Sequence, residues 1–172
     1  MTQSNLPKIW TVEIEDDQKF RAFYRSLKPI EQATLMAGLQ EVLPRLGMNI
    51  CSTEWGKALG GSLYEFRIRR SLDAIYREFV SEEAAHSTPN HLRGREVSLR
   101  VFCTFEGNKI ALVLDGYDKQ KNPNAKTQNR MITKARTSLA SHKAEQKQQL
   151  RQKKSDGSAS VSASKRQRKK RR

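Results

Sequence analysis

The sequence predicts an α+β fold: a small, mostly antiparallel four-stranded sheet, an N-terminal helical hairpin, a C-terminal helix and a disordered basic tail. Three observations carry this. Apolar residues alternate with period two in four short segments, recur at helical spacing in the stretches between them, and nearly vanish after His142. One domain over residues 1–142 and a polar tail over residues 143–172 follow, a size at which a single modest core can form.

The elements can be justified in chain order. "KIWTVEIE" sets Trp10, Val12 and Ile14 against Ile9, Thr11 and Glu13, the alternation of a half-buried strand. Asp16 and Asp17 offer an N-cap to a helix whose Phe20, Phe23, Tyr24 and Leu27 share one face. Pro29 suits the first turn of a second helix with Leu35, Leu39, Val42 and Leu46 as its apolar stripe, Pro44 as a kink or early stop and Gly47 as terminator. These two helices form the expected hairpin. Gly60 and Gly61 break the chain before a strand over 63–69, in which Tyr64, Phe66 and Ile68 oppose Glu65, Arg67 and Arg69. Leu72, Ile75, Tyr76 and Phe79 then fall at helical spacing within 71–85, and "HSTPNHLRG" reads as a loop.

"VSLRVFCTFEGNKIALVLDGY" is two apolar strands joined by Gly107-Asn108, a two-residue hairpin turn. Pairing Glu106 with Lys109 opposes Arg100 to Asp115, Phe102 to Val113 and Ser98 to Tyr117 on one face, and leaves an apolar face on the other. A one-residue slip would bury Arg100 and Asp115. Asn124 is the expected N-cap of the last helix, whose stripe is Met131, Ile132, Ala135 and Leu139. Beyond it, "EQKQQLRQKK" can prolong the helix in a frayed way, "SDGSASVSAS" has linker composition and "KRQRKKRR" is a basic run.

Charge bounds the partner. The 172 residues carry 33 Lys plus Arg and 18 Asp plus Glu, a formal +15, which favours a polyanion. Residues 143–172 hold 12 basic and 2 acidic groups, so most of the excess is in the tail. Cys51 and Cys103 are too far apart for a C-x-x-C motif, and no secretory segment precedes them, so reduced thiols and a cytoplasmic location are expected. No window offers the roughly 18 apolar residues of a transmembrane helix, so no membrane partner is expected. His86, His91 and His142 show no metal-ligand spacing, and neither a metal nor another cofactor is expected.

The charged sheet face would carry Arg67, Arg69, Arg100 and Tyr117, and helices packed on the apolar face would leave it open. Such a surface suits a nucleic-acid backbone: arginine grips phosphate oxygens in a fork, and a phenol stacks on a base or donates a proton. RNA can be cut there without a metal, if its own 2′-OH attacks the phosphate while cations stabilise the developing charge. Arg100 opposite Asp115 reads equally as a cross-strand ion pair, and Lys119 and Lys121 as solvated turn charges.

"KALGGSLYEFRI" and "SLRVFCTFEGNKIALVLDGYDKQKNP", with the helix after them, resemble the RelE/HigB group of toxins from bacterial toxin–antitoxin pairs, especially its phage-derived HigB-like branch. The shared pattern is a Gly-Gly-x-Leu-Tyr-Glu-x-Arg strand, an Arg-Val strand, a hairpin, an apolar strand ending in Gly-Phe/Tyr, then Lys-x-Lys and Pro, and it spans about residues 8 to 142. The resemblance implies a ribosome-associated mRNA endoribonuclease held in check by a cognate antitoxin, with mRNA and ribosomal RNA as its other partners. Arg67, Arg69, Arg100, Tyr117, Lys119 and Lys121 fall on the pattern's positions. In the roles implied, Arg67 and Arg100 hold the scissile phosphate. Lys119 or Lys121 stabilises charge or protonates the leaving oxygen, and Tyr117 stacks on or orients a base. Arg69, Glu65 and Asp115 complete the RNA-facing set, and the general base is Glu65, Asp115 or a lysine.

Two features depart from the pattern, an insert over residues 70–96 and the basic tail. Two alternatives stay open: a ParE-like toxin that inhibits DNA gyrase, and a basic nucleic-acid-binding protein without catalysis.

Overall fold

The computed structural model describes the backbone of residues 3–169 and side chains as far as residue 154. It is α+β, with a five-stranded mixed sheet and a C-terminal helix. The strands are β1 (Thr11–Ile14), β2 (Gly56–Gly60), β3 (Leu63–Ile68), β4 (Leu99–Glu106) and β5 (Ile110–Asp118), in the spatial order β1-β5-β4-β3-β2. All neighbours run antiparallel except β1, which lies parallel to β5 with Thr11 opposite Ile110 and Ile14 opposite Val113.

The four-stranded expectation is therefore corrected by one strand. "GKALG" shows neither alternation nor β-branched residues, and it becomes a strand because β3 supplies its ladder. Gly60, Gly61 and Ser62, all at positive φ, make the reversal between the two.

Helix α1 (Asp17–Arg25) starts where predicted, with the Lys19 N–H donating to Asp16 Oδ1 at 3.0 Å. Helix α2 (Pro29–Ala37) continues through a π-helical turn over Gly38–Val42 into α3 (Leu43–Leu46), and Gly47 ends the run at φ 50°. Pro44 is thus accommodated without ending the helical path, because the π turn before it absorbs the misfit.

The expected hairpin of paired helices is met only in part. Helix α1 packs on β5, whereas α2 packs on α4 (Leu72–Phe79). Phe23 decides this for α1: a Cβ at Gly116 would lie 2.5 Å from its ring, so the bare glycine admits the helix against β5.

The predicted 71–85 helix is two short ones, α4 and α5 (Glu82–His86), separated by Val80 and Ser81. Ser81 accepts from the Ala84 N–H at 3.1 Å and caps the second. The insert is tied back on both sides, by the Gly94 N–H on Asp73 Oδ1 at 2.8 Å and the Val97 N–H on the Arg70 carbonyl at 3.4 Å.

The core lies between the sheet and helices α1 to α4. Leu35, Val42, Leu43 and Ile75 interdigitate there with Phe66, Ile68, Leu99 and Val101. Trp55 is buried among them, 6.1 Å from Phe66 and 5.5 Å from Phe79 between ring centroids.

The β4–β5 hairpin departs from the predicted register by one residue. The connection is Gly107–Lys109 with Asn108 at φ 61°, so Glu106 pairs with Ile110 rather than Lys109. A bulge at Leu114 then advances β5 by one more, and Arg100 comes to face Tyr117 while Phe102 faces Asp115.

Helix α6 (Ala125–Lys169) begins at the predicted cap, with the Thr127 N–H on Asn124 Oδ1 at 2.7 Å. It stays helical to Lys169, where the composition predicts a disordered tail. Its Lys, Gln, Glu and Ala residues over 143–154 are good helix formers. The chain forms two compact units, Met1–Arg136 and Thr137–Arg172, so α6 belongs to both and the predicted boundary at residue 142 lies inside a continuous helix. The end of the "KRQRKKRR" run, residues 170–172, lies outside the described residues. Among the described residues no helix is long and apolar enough to cross a membrane.

Candidate functional site

The second face of the sheet, turned away from the core, carries two cross-strand rows. Arg67, Arg100 and Tyr117 form one, and Glu65, Phe102 and Asp115 form the next. Period-two alternation puts these residues on one side, and the longer turn and the bulge at Leu114, one residue each, together bring Tyr117 rather than Asp115 beside Arg100.

Two like charges directly opposite each other would repel, and a carboxylate relieves them. Glu65, fully buried, accepts from Arg67 Nε and Nη2 at 3.0 Å each through Oε2. Its Oε1 meets Arg100 Nε at 3.2 Å and Gln128 Nε2 at 3.4 Å. Arg100 also donates to the Leu99 carbonyl at 3.0 Å. Burial is the largest influence on its guanidinium and lowers its pKa; Glu65 opposes the shift, while Arg69 and Arg67 add to it.

Tyr117 stacks on Phe102 with ring centroids 6.0 Å apart and planes 15° apart. Its hydroxyl is buried without a hydrogen-bond partner among the described residues, and burial, then the Glu65 carboxylate, pushes its pKa up. Arg69 is exposed at the end of β3, close enough to Arg100 to repel it, and pairs with no carboxylate among the described residues.

The face is not open, contrary to the prediction. Arg100 is 4% exposed, Tyr117 5% and Asp115 8%. The first turns of α6 account for this on the Glu65 side. Gln128 reaches Glu65, and Arg136 donates to the Leu59 and Gly60 carbonyls of β2 at 2.6 and 3.1 Å. Cations and apolar residues share this face, so the helix covers it with an alanine buried at position 135 and polar contacts at its edges.

The remaining predicted residues divide. Lys119 donates to Gln128 Oε1 at 3.1 Å and to the Pro123 carbonyl at 2.9 Å, so Gln128 links it to Glu65 in one polar chain. Lys121 does not join. It turns to the helix side, 3.0 Å from the Ser26 carbonyl, 3.8 Å from Asp118 and 4.0 Å from Glu31. Asp115, predicted as the partner of Arg100, instead accepts from its own neighbour's Gly116 N–H at 2.8 Å. Burial, the largest influence, raises its pKa.

Gln128 and Arg136 are the site residues that sequence reasoning missed. A signal for Gln128 existed: it lies three, four and seven positions before Met131, Ile132 and Ala135, a polar group in line with an apolar stripe. Comparisons with protein-family models, curated proteins and solved structures give no match.

Among the described residues no group of three or more His, Cys, Asp or Glu is placed to hold a metal ion. What the face offers is two guanidiniums on one carboxylate, a third beside them without a counter-ion, and a phenol hydroxyl with nothing to bond. Arg67, Arg69 and Arg100 against Glu65 leave a local cationic excess, suited to an anionic ligand with several acceptor oxygens.

Proposed function

We propose that the protein is the toxin of a toxin–antitoxin pair and acts as a ribosome-associated mRNA endoribonuclease. One observation carries the reading: Arg67 and Arg100 converge on Glu65 while Arg69 and the Tyr117 hydroxyl beside them have no partner among the described residues. In this reading Arg67, Arg69 and Arg100 hold the phosphate. The RNA 2′-oxygen attacks the adjacent phosphorus, forming a 2′,3′-cyclic phosphate and breaking the bond to the 5′-oxygen. Asp115, whose Oδ1 accepts from the Gly116 N–H, takes the 2′ proton, and Lys119 gives one to the leaving oxygen. Glu65, with both oxygens occupied, is a positioning residue rather than a base. Tyr117 meets the substrate once Gln128 and the first turns of α6 give way. A cognate antitoxin would bind the protein in its resting state.

The burial of Arg100 and Tyr117 favours a second reading, a basic nucleic-acid-binding protein without catalysis. Cleavage of a reporter mRNA with ribosomes supplied separates the two. Wild type should leave cuts mapped by primer extension, and Arg69→Ala and Arg100→Ala should slow cutting about a hundredfold or more. Arg69→Ala abandons no partner, so its loss of rate cannot come from misfolding. Binding without any cut by wild type establishes the second reading, and unchanged cutting by both variants removes the assigned roles. Inhibited gyrase supercoiling with intact mRNA would point to the ParE-like alternative.

A further inference from the structure

Helix α6 carries a second cationic surface within the Thr137–Arg172 unit. Lys143, Lys147, Arg151 and Lys154 stand at intervals of four, four and three residues. At about 100° per residue they fall within an arc of roughly 80°, and at about 1.5 Å per residue the stripe extends about 16 Å. All four are exposed, and none has a hydrogen bond or ion pair among the described residues. Glu145, the single acidic residue in 143–154, lies on the far side of the helix by the same rotation.

We propose that this stripe is a sequence-independent binding surface for the sugar-phosphate backbone of single-stranded RNA. Four cations without a counter-ion among the described residues displace condensed counterions when they meet consecutive phosphates, which is the main source of such affinity. The composition disfavours other anionic partners. Within 143–154 Leu150, 61% exposed, is the one large apolar side chain, so the segment lacks the apolar face that seats a helix in a lipid interface. It equally lacks the aromatic anchors that dominate protein interfaces. The inference does not depend on cleavage at the sheet.

The test is the salt dependence of binding. Full-length protein and the variant K143Q/K147Q/R151Q/K154Q are titrated by fluorescence anisotropy with a labelled 2′-O-methyl single strand, which has no 2′-hydroxyl to react. Glutamine preserves helix propensity, and far-ultraviolet circular dichroism verifies the fold. At about 0.7 counterions per phosphate contact, the slope of log affinity against log salt should fall by about 3 in the variant, equally for two unrelated sequences. The charge-preserving K143R/K147R/K154R should keep the wild-type slope. An unchanged slope in the glutamine variant overturns the proposal. So does binding to anionic phospholipid vesicles that exceeds RNA binding and is lost in the same variant. Arg69→Ala serves as the control for the sheet site, since it leaves the stripe's share of the slope in place whether or not that site cuts RNA.

Discussion

Tyr117 holds a hydroxyl shielded from water and without a hydrogen-bond partner among the described residues, a group that costs free energy to bury. Removing it should not harm the fold. Tyr117→Phe is expected to be neutral or to gain up to about 1 kcal/mol in urea unfolding, because an unsatisfied polar atom is replaced by hydrogen. If the hydroxyl serves RNA, the same variant loses reporter cleavage, and a stabilised but inactive protein is the signature of a functional group. A destabilised variant would show instead that the hydroxyl has a structural partner. Glu65 is the opposite case, with every oxygen engaged and two guanidiniums depending on it. That Arg67, Arg100 and Tyr117 share a face was legible from alternation, and it survives the change of register because the longer turn and the bulge together shift β5 by two residues, which keeps its parity. That Lys121 leaves them was not, since its partner, the Ser26 carbonyl, lies 95 positions away.

Among the elements, the insert behaves as a clamped excursion rather than a loose loop. Asp73 on α4 fastens its far end through Gly94, with Arg77 3.7 Å away. Burial pushes the Asp73 carboxyl up, but the hydrogen bonds from Gly94, Ser71 and its own backbone N–H, with the Arg77 charge, together outweigh it, and the net shift is downward. A carboxyl with a depressed folded pKa stabilises above its unfolded value near 4 and loses that contribution as pH falls. Asp73→Ala should therefore cost about 1 to 2 kcal/mol at neutral pH. The deficit should shrink on acidification, as measured by urea midpoints at both pH values, and the Gly94 amide should lose protection from hydrogen exchange. A deficit independent of pH would mean that the ionised carboxylate is not what holds the loop. The caps at Asp16 and Asn124 and the stop at Gly47 were legible because each is decided within one turn of chain. Strand β2 was not, because its five residues carry no strand signal without β3 alongside.

Across the whole molecule, the formal +15 sits mostly in the last 30 residues, within the second compact unit, while the sheet cations belong to the first. A polyanion that binds only the folded state stabilises it by mass action, about 2.7 kcal/mol at a hundredfold excess over Kd. Single-stranded RNA should then raise the melting temperature of Met1–Arg136 at low salt, and the gain should disappear at high salt. A melting temperature indifferent to RNA at low salt would confine nucleic-acid binding to the second unit. Periodicity, composition and local caps determined the α+β class, the two faces of each predicted strand, the core stripes and the concentration of charge toward the C-terminus, because these depend on neighbours within a few residues. Only the tertiary structure decided the parallel docking of β1 on β5, the bulge that sets Arg100 beside Tyr117, and the placing of α6 over a face expected to be open. Those depend on contacts such as Gln128 with Glu65, 63 positions apart, where the outcome is a competition among distant surfaces that no local pattern records.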